Sequence, residues 1–295
     1  MVARYAAALL GSLVAAASSS AAPTPQIRVG SQPLDVIAAG TTLWAENYGD
    51  GTVSAIDAAT RRVRTFDVGG SPGGIASGAS SIWVSDLADG TLTRLSPSGQ
   101  VVDRIELGGR GAGIAVSRGI VYVADYAGGL SRVDAATGRI LGRTKLAGHA
   151  EAVAVGFGRV WVTNSNGTVS TLNPSTCAVT GRPLRVGSDT DGVAIGRHAV
   201  WAVALYGKVL ARIDPVSRKV VHRTATEGQA AGVIATSQGV WVANYDWNTV
   251  TRFDPSGKRV VKTYRVGSAP RSLAVAAGYV WVVNQHSGSV SRLTP

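Results

Sequence analysis

An aromatic residue heading a short stretch of β-branched or small apolar residues returns seven times along the chain, at Trp44, Trp83, Tyr122, Trp161, Trp201, Trp241 and Trp281. Successive copies lie 39, 39, 39, 40, 40 and 40 residues apart. A fixed period of this size marks an array of one supersecondary unit that cannot bury its apolar faces alone. Each unit carries four short apolar stretches and so predicts a four-stranded antiparallel sheet. Seven such sheets around an axis make an all-β, seven-bladed β-propeller.

The sixth unit displays the pattern. Gly232-Val233-Ile234-Ala235 reads as an innermost strand, and Ser237-Gln238-Gly239 turns it into Val240-Trp241-Val242-Ala243-Asn244. The loop 245–248 leads to a third strand at 249–254, and Pro255-Ser256-Gly257 turns the chain toward an outer strand ending at Tyr264-Arg265-Val266-Gly267. Proline and glycine stand where turn chemistry needs them. The inner strands are apolar on both faces, as stacking between neighbouring sheets requires, whereas the outer strands alternate. The seventh unit ends after its third strand, and Gln26-Ile27-Arg28-Val29-Gly30 matches the outer-strand endings of other units. That segment, about residues 26–30, is expected to pair into the last blade and close the ring.

Residues 1–22 read as a cleaved signal peptide. Arg4 supplies the positive start, Ala6 to Ala17 the short apolar run, and small residues follow to Ala22. The expected mature protein, 23–295, is a single exported propeller domain, secreted to the extracellular space or the periplasm and not transmembrane once the signal is removed. It is expected to be a monomer. The single cysteine, Cys177, rules out an intrachain disulfide and reads as a turn residue equivalent to Gly138 of another unit. The formal charge of +11 favours anionic partners. Export and the absence of aromatic interleaving argue against nucleic acid, so an anionic envelope polymer is the partner this charge suggests.

The stretches Val160-Trp161-Val162-Thr163-Asn164, Gly167-Thr168-Val169-Ser170-Thr171-Leu172-Asn173-Pro174 and Val186-Gly187 resemble the YVTN-type propeller repeat. The pattern is also similar to that of the virginiamycin B (streptogramin B) lyase-like propellers, over essentially all of 26–295. The resemblance implies the fold, and in the lyase members a magnesium-dependent elimination by His and Glu residues meeting at the central mouth. This chain has four histidines, of which only His149 and His286 fall in mouth loops. No set of His and Glu residues at corresponding positions recreates that site.

The loops between blades and those joining second to third strands share one face of a propeller. Eleven acids map there, Asp35, Glu46, Asp50, Asp86, Asp89, Asp125, Glu151, Asp189, Asp191, Glu227 and Asp246, against three bases, Arg110, Lys208 and Arg271. The mouth is therefore expected to be acidic and the flanks basic. Asn47, Asp86, Asp125, Asn164, Asn244 and Asn284 share the third place after the column aromatic, where short Asx side chains bond turn backbone. His149, Glu151, Asp189 and Asp191 occupy equivalent positions in units four and five. Glu151, Asp189 and Asp191 are candidate ligands for Mg²⁺ or Ca²⁺, with His149 the candidate base if there is chemistry; no cofactor is otherwise required.

Tyr48, Tyr126, Tyr206, Tyr245 and Trp247 gather in the same loops and, with Arg271 and His286, form the candidate ligand-binding set. A third-strand column of Arg94, Arg132, Arg212, Arg252 and Arg292 reads as a structural ladder with acidic or Asn neighbours. The leading expectation is a non-catalytic propeller that engages a small molecule, sugar, peptide or protein partner at an acidic, Tyr-rich mouth. The alternatives are a Mg²⁺-dependent lyase or hydrolase at the same mouth, and a scaffold held at an anionic envelope surface.

Overall fold

The computed structural model describes residues 24–295; the expected signal peptide lies outside the described residues. These residues form seven four-stranded antiparallel sheets, six of them laid down in chain order from the axis outward. Blades 1 to 6 span 33–67, 72–106, 111–145, 150–185, 190–225 and 230–265. Blade 7 takes three strands from 270–293 and its fourth from Gln26–Arg28, with Gln26 opposite Ser291, Ile27 opposite Val290 and Arg28 opposite Ser289. The closing strand is shorter than the sequence suggests. Val29 still donates its N–H to the Gly288 carbonyl at 3.0 Å, but the Gly30 amide turns to Asn47 Oδ1 of blade 1 at 3.2 Å.

The column aromatics are core. Trp44, Trp83, Trp161, Trp241 and Trp281 are fully buried, and Trp83, Trp161 and Trp281 donate their indole N–H to the carbonyl five residues earlier, at 3.1–3.2 Å. Each of those bonds staples the turn between first and second strands, and truncating one such Trp to Ala costs about 3–5 kcal/mol. The Arg column does not work as expected. Arg94, Arg252 and Arg292 lay their guanidinium groups over Trp83, Trp241 and Trp281 at 5.4, 5.5 and 5.9 Å, so a cation–π stack replaces the acidic ladder. The registers explain it: each Arg lies directly opposite its Trp on the next strand.

The third-to-outer-strand turns pack onto the preceding blade. Cys177, like Gly138, has a left-handed backbone (φ 57° and 71°) and is buried beneath Tyr122 of blade 3. Tyr122 donates its hydroxyl hydrogen to the Pro174 carbonyl at 2.8 Å. In blade 6, where the turn is one residue shorter, Gly257 lies against Trp201 of the preceding blade. Burial pushes the Cys177 thiol up, which keeps it inert.

Two seven-fold features build the opposite face. The loop residues Gly51, Gly90, Gly128, Gly167, Lys208, Asn248 and Gly288 all have positive φ, and each accepts at its carbonyl an N–H from the strand-to-blade connection. The first strand of every blade carries a bulge near its start, as between Ala150 and Val153 or Pro270 and Leu273. A bulge re-aims side chains. Here it aims the residues after it at the axis.

Candidate functional site: an axial cavity

The seven bulges open onto a cavity of about 670 Å³ at the axis. Its floor is apolar and takes one residue per blade: Val36, Ile75, Ile114, Val153, Val193, Val233 and Leu273. Above it the bulge positions hold Leu34, Gly73, Ala112, Glu151, Asp191, Ala231 and Arg271 in blade order. Small residues in blades 2, 3 and 6 make the room. Gly74, Gly113 and Gly232 behind them let neighbouring backbones approach, since a Cβ at any of the three would collide with the next blade's main chain. The rim carries Tyr48, Leu87, Tyr126, Leu205 and Gln285, all at the position after the Asx column.

At the bulge positions the charged residues are those of blades 4, 5 and 7. Arg271 reaches across Ala231 of blade 6 to Asp191 of blade 5, with Nη2 3.1 Å from Oδ2. Burial opposes the guanidinium's charge, but Asp191, Tyr245 and Glu151 more than offset it and raise its pKa. Asp191 is pushed up by burial against the pull of Arg271, and Asp189 by burial against Arg271 and His149. Glu151 is raised too: burial, then the charges of Asp191 and Asp189, take it to about 8. Its carboxyl is therefore mostly protonated at neutral pH. Neither Glu151 nor Asp189 has a side-chain hydrogen bond or ion pair among the described residues.

Asp35 lines the cavity on the other side. It accepts the Ser272 hydroxyl of blade 7 and its neighbour's amide, Val36 N–H, at 2.7 Å. Behind it lies Glu46, one of the acids expected at the mouth. It is instead fully buried in the second strand of blade 1 with both carboxylate oxygens unpaired. Burial, then Asp35, hold its pKa well above the carboxylate range. Equivalent positions carry Ser85 and Thr163, whose hydroxyls donate to carbonyls of the next blade, Ala112 and Asp191. A long carboxyl in a hydroxyl's place explains the missing partners.

Most other expected mouth acids hold turns rather than ligand space. Asp86 accepts the Ser71, Ala88 and Asp89 amides, Asp125 those of Arg110 and Ala127, and Asp246 that of Gln229. Asn47, Asn164, Asn244 and Asn284 donate to hydroxyls of their own third strands, for example Asn244 to Thr249 at 3.0 Å. The Asx column is structural.

The candidate ligand-binding residues divide. Tyr48, Tyr126 and Arg271 line the cavity. Tyr126 lies between Arg110, 5.0 Å above its ring, and His149, 4.6 Å from it. Tyr245 and His286 pair with each other, phenol oxygen to Nε2 at 3.2 Å, with Arg271 5.9 Å from the Tyr245 ring. Tyr206 and Trp247 stand exposed and outside the cavity lining, because each sits one or two residues past the inward-facing rim position. Gln285 was not singled out by sequence. Its Oε1 is buried at the cavity without a partner, and its place in the rim column was the signal that could have found it.

A divalent metal fits this arrangement poorly. Glu151, Asp189 and Asp191 share the wall, but the Arg271 guanidinium occupies Asp191. Among the described residues no three His, Cys, Asp or Glu side chains gather closely enough to hold a metal ion. The His and Glu constellation implied by the lyase resemblance is likewise not assembled.

The fold and mouth define a seven-bladed propeller with an axial ligand-sized cavity. Residues 88–180 match a family model described as outer membrane protein assembly factor BamB. Among solved structures the chain is similar to Kuenenia stuttgartiensis hydrazine synthase, at a TM-score of 0.73 and 13% identity, covering 94% of this chain and 98% of that one. It is also similar to the Pan2 WD40 domain of Neurospora crassa, at a TM-score of 0.75 and 11% identity, covering 90% and 94%. At these identities the likeness shows the fold alone. No curated protein matches it by sequence.

Proposed function

We propose that the chain is an exported, non-catalytic binding propeller that holds a small molecule, or a short protruding part of a larger partner, in the axial cavity. The observation that carries this reading is the wall itself. A cavity of about 670 Å³ falls within the range of small-molecule sites, and it combines an apolar floor with a few convergent polar groups. Two of those groups, Glu151 and Asp189, have no side-chain partner among the described residues. Export is read from the N-terminal sequence, and the BamB-type repeat match is in keeping with a binding scaffold.

Soaking crystals with a mixed fragment set of amines, acids, sugars and apolar rings tests it. Fragments collecting on the axis between Glu151 and Tyr48 are the expected result. Fragments that collect elsewhere and leave the axis to solvent would overturn it.

A second reading has its own support. Arg61, Arg62, Arg139, Lys219, Lys258 and Arg259 are exposed on or beside the turns of the face away from the mouth. That basic face suits an anionic envelope polymer, and salt-sensitive retention on such a polymer is its test.

A further inference from the structure

We propose, on the reading that the mouth is a ligand site, that its ligand is a compact apolar body carrying one protonated amine, with the ammonium against Glu151 and Asp189. Three features of the cavity converge on this chemistry.

The first is the charge left over once internal pairs are made. Arg271 is matched by Asp191 at 3.1 Å, and Asp35 is held by the Ser272 hydroxyl and the Val36 amide. Arg110 also lines the cavity, but its guanidinium is held over the Tyr126 ring and donates Nε–H to the Leu87 carbonyl at 3.1 Å. Glu151 of blade 4 and Asp189, in the connection into blade 5, remain as acids with no side-chain partner among the described residues. An anion there would meet two carboxyl groups. An ammonium would meet two acceptors.

The second is the distribution of apolar surface. Blades 1 to 3 present Leu34, Gly73 and Ala112, with Tyr48 and Leu87 above, opposite the charged wall. The floor is aliphatic all round. The one carboxyl on that side, Asp35, is already held by Ser272 and the Val36 amide, so a polyol or a second amine set down on the floor would meet no free side-chain partner, and an unpaired polar group costs about 1–3 kcal/mol. A hydrocarbon or aryl group loses nothing there and gains about 25 cal/mol for each Å² taken from water.

The third is the protonation of Glu151. Its carboxyl, raised to about 8, holds a proton in the ligand-free protein. An ammonium beside it favours the carboxylate, so binding releases that proton to the buffer while the amine keeps its own. Affinity therefore rises with pH up to about 8 and levels off above it. His149, Asp189, Asp191, Arg271 and the Tyr126 hydroxyl are the other titratable or charged groups facing Glu151.

Calorimetric titration of the mature protein decides it, with four probes: 2-phenylethylamine, 2-phenylethanol, 3-phenylpropionate and 1,4-diaminobutane. Phenylethylamine is expected to bind at least about tenfold tighter than the other three, a difference of about 1.4 kcal/mol. Its heat should change with the ionisation enthalpy of the buffer. Glu151→Gln and, independently, Asp189→Asn should each remove most of that preference. Phenylethanol or phenylpropionate binding as tightly as the amine would overturn the amine and leave the mouth a ligand site. Diaminobutane matching phenylethylamine would overturn the apolar body. No saturable heat from any probe at millimolar concentration would overturn the inference, and with an empty axis in the fragment soaks the site reading as well.

Discussion

Replacing Glu151 with Gln keeps the side chain's shape and removes its titration. In the folded protein the carboxyl is raised from 4.5 to about 8, by burial first and then by Asp191 and Asp189. Between those two values the folded state holds a proton that the unfolded chain has lost. Stability from this group is thus complete below about pH 4.5 and falls as pH rises, by about 1.4 kcal/mol per pH unit, until the folded pKa is passed. At neutral pH the accumulated penalty is at most about 3.5 kcal/mol, reduced by whatever solvation the cavity gives the carboxyl. Glu151→Gln should therefore unfold at nearly the same urea concentration as the parent at about pH 4.5, and at a clearly higher one at about pH 8, followed by tryptophan fluorescence. Asp35, Glu46, Asp189 and Asp191 are also raised and contribute the same sign of slope in both proteins, so the difference between the two curves isolates Glu151. Parallel curves would refute the reasoning.

Three further outcomes are expected. Glu46→Val, the residue found at equivalent positions 203 and 283, removes a fully buried carboxyl with two unpaired oxygens and should raise stability by about 1–3 kcal/mol in chemical denaturation at neutral pH. Lys208→Gly places glycine at a left-handed position (φ 47°) where five of the other six blades already have it. It should gain about 0.5–1 kcal/mol, since the 3.9 Å contact with Asp246 is half exposed and contributes little. Gly257→Ala combines φ 74° with a Cβ that would overlap the Trp201 ring, and should lower the unfolding midpoint by the equivalent of about 2 kcal/mol or more.

The architecture was legible because the aromatic column is a packing device repeated seven times, and a period survives even where individual residues vary. Ring closure was legible for the same reason: the Ile27-Arg28-Val29-Gly30 segment repeats an outer-strand ending. The site was legible only to the level of which loops share a face. Glu46 illustrates why: in strand numbering it lies beside the mouth, but the bulge between Pro33 and Val36 leaves it facing the blade interface. Trp247 and Tyr206 lie outside the cavity lining for a related reason, since one or two residues of offset in a tight loop turn a ring from the axis to solvent. The Arg271–Asp191 pair spans two blades across Ala231, a contact 80 residues apart that no local pattern encodes. The Arg column misled because three of its five guanidinium groups, those of Arg94, Arg252 and Arg292, found an aromatic face rather than an acid.

A crystal structure of the protein with 2-phenylethylamine, solved at about pH 8 where Glu151 can release its proton, tests the central claim most directly. The amine nitrogen should lie within hydrogen-bonding distance of the Glu151 and Asp189 carboxylates, with the phenyl ring on the floor formed by Val36, Ile75 and Ile114. A ring seated outside the axis, or a nitrogen turned away from blades 4 and 5, would contradict it.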